Sequence, residues 1–208
     1  GKDENLCKKC TRPSCLYPSL CKNMNNDHRP LLNLYKKVRA LPYIKKAFIG
    51  SGVRYDLFDK SEYFETLVLH HVSGRLKVAP EHCSESVLKA MRKMSFDQFI
   101  DIKKRFEIIN SKYGLKQQLI PYFISSHPVC TLKDMAILAS KTAQLGYKLE
   151  QVQDFTPTPM TISTEMYYTG YDPMTLKRVF VERHPNAKKI QNRVFFWYKP
   201  ENKIWANN

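Results

Sequence analysis

Four of the six cysteines in this 208-residue chain lie within fifteen residues, in the segment CKKCTRPSCLYPSLC. Cys7, Cys10, Cys15 and Cys21 are separated by two, four and five residues. Thiolates this close in sequence can hold one tetrahedral metal, and the first pair has the two-residue spacing that zinc and iron–sulfur sites favour. We therefore expect residues 1–28 to form a metal-binding loop that holds Zn or an iron–sulfur cluster. Two disulfides and unliganded thiols are the alternatives.

A second set of chemically capable residues follows four short apolar runs. The runs are AFIGSGVRYD from residue 47, LKVAPEH from 76, QLIPYFISSHP from 118 and QVQDFTPTP from 151. Segments with helical periodicity separate them, as in chained strand–helix units. Ligands of parallel α/β folds gather at the carboxyl ends of the strands. The candidate ligand-binding residues at these ends are Ser51, Arg54, Glu81, His82, His127 and Asp154.

Two of the candidate strands also carry polar side chains in their interiors. Lys77 shares one strand face with Ala79 and Glu81, and Gln153 shares a face with Phe155, because side chains alternate along a strand. A parallel strand buried on both faces is normally apolar throughout. Either these groups are satisfied by internal hydrogen bonds and ion pairs, or they line a polar lumen that holds a charged ligand. We favour the lumen.

The elements that must position these residues form an α/β pattern. Predicted strands lie near 46–50, 75–79, 117–123 and 149–155, parallel and in sequence order. Predicted helices cover 29–41, 60–71, 85–93, 96–113 and 132–145, and a tail offers a strand-like 178–183 and a helix-like 187–198. Ser84 and Thr131 are the expected N-caps of two of the helices. The expected fold is an incomplete parallel (β/α) barrel.

Composition narrows the classes of partner. The chain carries 34 Lys and Arg against 19 Asp and Glu, a formal charge of +15, which suggests polyanionic partners and nucleic acid above all. Two alternatives would give the same net charge: a lysine-rich soluble surface, or a fragment whose acidic half is missing. The tail 193–205 interleaves aromatic and basic residues, so it either stacks bases or is a core helix. No apolar run reaches membrane-spanning length and the N-terminus is no signal peptide, so we expect a cytoplasmic protein.

Several long strings in the sequence resemble the YgiQ family of radical SAM proteins. They are SGVRYD, HHVSGRLKVAPEH, QQLIPYFISSHP, QVQDFTPTPM and TEMYYTG, with the cysteine loop CTRPSCLYPSLCKN and the following DHRPL. The resemblance runs from Cys7 to about Asp172. It implies a partial α/β barrel whose first strand leads into C-x3-C-x2-C, where three cysteines hold a [4Fe–4S] cluster that binds S-adenosylmethionine for reductive cleavage.

This chain contains no C-x3-C-x2-C. By resemblance it begins after the second barrel strand, as an excised piece of a longer protein, and lacks the first strands and the cluster loop. Residues 29–155 would be the distal part of the barrel and 156–208 the start of a C-terminal extension. The chain alone would be inactive, because a cluster that delivers an electron needs its own thiolates.

The resemblance also implies that S-adenosylmethionine lies across the carboxyl rim of the strands. An arginine can hold its carboxylate in bidentate fashion, and a glutamate can accept from its ammonium or ribose hydroxyls. The residues expected to bind this cofactor are Ser51, Arg54, Lys77, Glu81, His82, His127, Gln153 and Asp154. His28, His70 and His71 lie beside helix stripes, and we expect them to be structural. The alternative function is a non-catalytic Cys-metal module that binds nucleic acid.

Overall fold

Helices and strands alternate through most of the chain. A computed structural model describes residues 1–12, 14–58, 62–148 and 152–202. The helices are α1 (Glu4–Lys8), α2 (Arg29–Arg39), α3 (Tyr63–His71), α4 (Glu85–Met91), α5 (Phe96–Lys112), α6 (Leu132–Gln144), α7 (Ile162–Thr169) and α8 (Pro185–Phe195), with a 3-10 turn at Tyr55–Leu57. The strands are β1 (Arg75–Glu81), β2 (Gln118–Ser125) and β3 (Gln153–Asp154). None of the helices within these ranges is long and apolar enough to cross a membrane.

The three strands form one parallel sheet in the order β1-β2-β3. Ile124 is paired with Gln153, and Val53 makes an isolated parallel bridge to Val78 of β1. This confirms the predicted α/β class with a parallel sheet in sequence order; closure toward a barrel stays a prediction. The predicted strand at 46–50 is wrong, because that segment is irregular and its strand-like pairing is limited to the bridge at Val53. Of the predicted strand at 149–155, residues 149–151 lie outside the described ranges.

The described residues divide into two compact units. The first comprises Gly1–Ala79 and Asp97–Pro121. Its buried side chains include nine from α3, β1, α5 and the start of β2: Phe64, Leu67, Val68, Leu76, Val78, Phe99, Ile102, Phe106 and Leu119. The α3 and α5 stripes at three- and four-residue spacing are those the sequence predicts. Gln117 donates from Nε2 to the Val68 carbonyl at 2.9 Å, which ties the entry to β2 to α3.

The second unit comprises Pro80–Phe96 and Tyr122–Asn208. Helices α6 and α8 pack against each other in this unit. The Phe123 ring of β2 lies 6.1 Å from the Phe195 ring of α8 and 6.4 Å from the Phe96 ring, centroid to centroid. Phe195 and Phe196 are buried. The aromatic tail therefore contributes core side chains at these two positions, whereas Trp197 is 44% exposed. Residues 203–205 of the tail lie outside the described ranges.

Several local predictions need correction. Helix α7 was missed, although Thr161 caps its start through the Thr164 N–H and Gly170 ends it at φ 75°. The strand-like 178–183 forms no strand, and Arg178 makes only an isolated antiparallel bridge to Tyr171. Ser84 makes no capping hydrogen bond, because its hydroxyl donates instead to Asp134 Oδ1 at 2.6 Å. The predicted cap at Thr131 is confirmed.

Candidate functional site

Ser51, Arg54 and Lys77 lie in the first unit, beside β1. The Val53 N–H donates to the Lys77 carbonyl at 3.0 Å, so residues 51–54 run alongside the strand. All three predicted side chains are exposed. The strand pairing thus brings this first group of predicted residues to one edge of the unit.

The two faces of β1 differ as the alternation predicts. Leu76, Val78 and Pro80 are buried, whereas Lys77 is exposed and Ala79 and Glu81 are half-buried. Because Val53 and Val78 are bridge partners, Arg54 and Lys77 project from the opposite face of the pair. Arg54 forms a bidentate ion pair with Asp56, and Lys77 has no ion-pair partner among the described residues. The open face of β1 is therefore the basic one.

His82 lies in the second unit, fully buried after the end of β1. Its Nδ1 accepts the Ser84 N–H at 2.9 Å, so the ring proton is on Nε2, which faces Cys130 Sγ at 3.6 Å. Burial is the main reason that the pKa of His82 is lowered from 6.5 to about 4. The Asp134 carboxylate raises this pKa, and the nearby His127 lowers it. Burial also raises the pKa of Cys130 to about 12. Both partners are neutral near pH 7.

His127 is held in a similar way after β2. It is 2% exposed, its Nδ1–H donates to the Pro128 carbonyl at 2.6 Å, and its Nε2 accepts from the Ser163 hydroxyl at 2.8 Å. Burial lowers its pKa to about 4. Both ring nitrogens are engaged inside the protein, as they are in His82. In this structure the two histidines secure the strand ends and offer no free nitrogen to a ligand.

The other predicted residues of the second unit are more open. Glu81 is half-buried, adopts φ 66° and pairs with Lys93 at 3.1 Å. Gln153 and Asp154 of β3 are exposed. Asp154 accepts from the Ser125 hydroxyl and, at 3.3 Å, from Asn192. The expectation that these residues bind one cofactor together with Ser51, Arg54 and Lys77 stays a prediction, because they fall in two separately described units.

Sequence reasoning missed the buried amide that joins these strand ends to α8. Gln191 is 2% exposed. Its Oε1 accepts the Ser126 N–H at 3.1 Å, and its Nε2 donates to the Cys130 carbonyl at 3.3 Å. The available signal was a glutamine inside an otherwise apolar helix stripe with Phe195, since a polar residue on a core face implies buried partners.

A groove of about 590 Å³ lies elsewhere in the first unit. It is lined by Tyr55, Asp56, Phe58, Gln98, Asp101, Ile102, Lys104 and Arg105. None of the eight residues predicted to bind the cofactor lines it. Asp56, the ion-pair partner of Arg54, is the link between this groove and the edge beside β1.

The cysteine loop is held by hydrogen bonds and not by a core. Every described residue from 1 to 27 is exposed or half-buried. Asn23 links the two ends of the loop, because it accepts the Asp3 N–H at 2.8 Å and donates to Cys7 Sγ at 3.1 Å. Cys10 Sγ accepts the Arg12 N–H at 3.4 Å. Within the described residues, no three Cys, His, Asp or Glu side chains are grouped as metal ligands, and the metal stays a prediction.

A UPF0313 protein of Bacteroides thetaiotaomicron is 57% identical over 97% of the chain and 34% of the relative, and one of Porphyromonas gingivalis is 57% identical over 97% and 33%. A UPF0313 protein of Clostridium perfringens is 46% identical over 94% of the chain and 31% of the relative. The chain is similar to UPF0313 proteins along nearly its whole length.

The chain spans about a third of the length of the curated UPF0313 relatives that it matches. The family model DUF3362, a domain of unknown function, matches residues 150–205. These matches fit the YgiQ (UPF0313) family that the motifs predict.

Proposed function

We propose that the chain is part of a radical SAM enzyme of the YgiQ type, and that it contributes polar contacts to bound S-adenosylmethionine. The observation that carries the proposal is the basic open face of β1. Arg54 and Lys77 are exposed on it while Leu76 and Val78 fill the core behind it. A parallel strand that needs only structural neighbours would carry apolar residues on both faces.

The chemistry of the donors fits S-adenosylmethionine and does not fit its iron–sulfur partner. Arg54 is already held as a bidentate fork by Asp56, so its guanidinium is oriented and loses little side-chain entropy on meeting a carboxylate. Lys77 adds a second cation, and the Ser51 hydroxyl can donate or accept. A [4Fe–4S] cluster needs grouped thiolates, which the C-x3-C-x2-C motif would supply and this chain does not contain.

The first unit would act on the cofactor through its exposed groups. Lys77 would neutralise the carboxylate, and Arg54, whose charge Asp56 already balances, would donate hydrogen bonds to it. The Ser51 hydroxyl would accept from the ammonium. In the second unit, the engaged rings of His82 and His127 fix the backbone that follows β1 and β2. The bound cofactor, joined to a reduced cluster, would supply the reductive cleavage that the resemblance implies.

The test is calorimetric titration of the anaerobically purified full-length protein with S-adenosylmethionine. Arg54→Ala should weaken binding about tenfold to a hundredfold, since a hydrogen bond to a charged group contributes about 1.5–3 kcal/mol. Arg29→Ala is the matched control, because Arg29 is also exposed and also forms a fork with an aspartate two residues away, Asp27. Equal affinities for the wild type and both variants would disprove the assignment.

A further inference from the structure

One stretch of the first unit carries bases without any acid. Residues 28–55 contain seven basic side chains and no Asp or Glu: Arg29, Lys36, Lys37, Arg39, Lys45, Lys46 and Arg54. The part from 36 to 48, KKVRALPYIKKAF, interleaves five of these bases with two aromatic residues. Such alternation is the pattern of a surface that follows a phosphate backbone and stacks bases.

The structure leaves the five bases of residues 36–48 exposed and without acidic partners among the described residues. Lys36, Lys37 and Arg39 lie on the last turns of α2, and Lys45 and Lys46 lie in the segment that follows. All five are exposed, and none pairs with an acidic side chain within the described ranges. Positive charges that are not neutralised within the protein attract counterions, and a polyanion that displaces those counterions gains free energy.

His71 brings the two basic segments together. Its ring lies 4.3 Å from the Tyr35 ring of α2, and its Nδ1 donates to the Ala47 carbonyl at 2.7 Å. Lys36 and Lys46 directly adjoin these two contacts in sequence. The His71 carbonyl also accepts the Ile49 N–H at 2.9 Å, so a second hydrogen bond holds the segment that carries Lys45 and Lys46. The exposed His70 beside them has its pKa lowered by partial burial and then by Arg39, His71 and Lys46.

Two aromatic side chains stand on the same segment. Tyr43 is 75% exposed and Phe48 is 50% exposed, far more than aromatic rings in a folded core. Tyr43 lies between the two groups of bases in sequence, and Phe48 follows the second group. An aromatic ring next to free cations is suited to stacking on a nucleobase whose phosphate the cation holds.

We propose that this surface, formed by Lys36, Lys37, Arg39, Tyr43, Lys45, Lys46 and Phe48, binds single-stranded nucleic acid. An anionic membrane is the competing polyanion, but it would need the apolar face of α2 to insert into lipid. Tyr35, on that face, is packed against His71 inside the unit, and Leu31 and Val38 are half-buried, whereas Leu34 is 53% exposed. The free surface of α2 is therefore its basic side chains together with Leu34, and the vesicle experiment below separates the two polyanions. This proposal does not depend on the cofactor proposal above.

The experiment measures binding of the full-length protein to a fluorescent single-stranded oligouridylate of about fifteen nucleotides over a range of salt concentrations. Five phosphate contacts give a slope of about −3.5 for log K against log salt. Replacing Lys36, Lys37 and Lys46 together by Ala should reduce that slope by about 2 and weaken binding about a hundredfold at 0.1 M salt. Replacing the exposed Lys89, Lys133 and Lys177 of the second unit removes the same charge and should change affinity little.

The stacking rings have their own variants. Tyr43→Ala and Phe48→Ala should each weaken binding about tenfold with the salt slope unchanged, and Tyr43→Phe and Phe48→Tyr should restore affinity. Binding that is weak in the wild type, or equal losses in both lysine triples, overturns the proposal. Tight binding to phosphatidylserine vesicles without binding to the oligonucleotide also overturns it and assigns the surface to a membrane.

Discussion

Replacement of Gln191 by Leu should cost the second unit more than any exposed substitution in α8. The leucine fills most of the volume of the amide but makes neither of its two backbone hydrogen bonds. Two buried groups would lose their partners. The Ser126 N–H now donates to Gln191 Oε1 at 3.1 Å, and the Cys130 carbonyl now accepts from Gln191 Nε2 at 3.3 Å. Each unsatisfied buried group costs about 1–3 kcal/mol, so the free energy of unfolding should fall by about 2–5 kcal/mol.

Urea denaturation followed by circular dichroism measures this loss. Arg193→Leu is the matched control, because it places the same side chain on the same helix at an exposed position, and it should change stability by less than about 0.5 kcal/mol. A Gln191→Leu protein as stable as the control would refute the view that this amide secures the strand ends. Destabilisation by both variants alike would show that leucine on α8 is harmful for another reason.

Three further predictions concern pH, a helix cap and metal. Because His82 and His127 have folded pKa values of about 4, below the unfolded 6.5, the unfolded chain binds more protons between those values. The free energy of unfolding should therefore fall by about 1.4 kcal/mol per pH unit for each histidine as the pH drops from 6.5 to 4. A urea midpoint that does not change with pH over that window would contradict the burial of the two histidines. Thr161→Ala should cost about 0.5–2 kcal/mol locally, measured by hydrogen exchange in α7, while Thr156→Ala, whose hydroxyl caps no helix, should not. Elemental analysis of gently purified protein should find about one zinc or iron per chain beyond any iron of the C-x3-C-x2-C cluster. This metal should be lost in Cys7→Ser and in Cys21→Ser. A cysteine loop without metal would disprove the predicted metal site.

The regular elements were predictable because local rules decide them. The stripe of α5 and the cap at Thr131 depend on neighbours three or four residues away, and the alternation of β1 gives the burial pattern directly. The prediction of a strand at 46–50 was wrong because the apolar residues of this segment satisfy strand propensity while its backbone is engaged elsewhere. The Ile49 N–H donates to the carbonyl of His71, at the end of α3.

The site was less predictable than the fold, because polarity at a strand end has two causes. Arg54 and His82 look equally functional in sequence, yet the first is exposed and the second is enclosed by Ser84 and Cys130. Whether a polar group faces solvent or a buried partner depends on residues about fifty positions away. Gln191 was overlooked for the same reason, since its partners Ser126 and Cys130 lie in another part of the chain.

We propose that the open basic face of β1 takes part in binding S-adenosylmethionine in a radical SAM enzyme. The most direct test is anaerobic calorimetric titration of the cluster-loaded full-length protein with S-adenosylmethionine, wild type against Arg54→Ala and Arg29→Ala. We expect saturable binding that Arg54→Ala weakens about tenfold or more and Arg29→Ala leaves unchanged. No binding by the cluster-loaded wild type, or the same affinity in all three proteins, would contradict it.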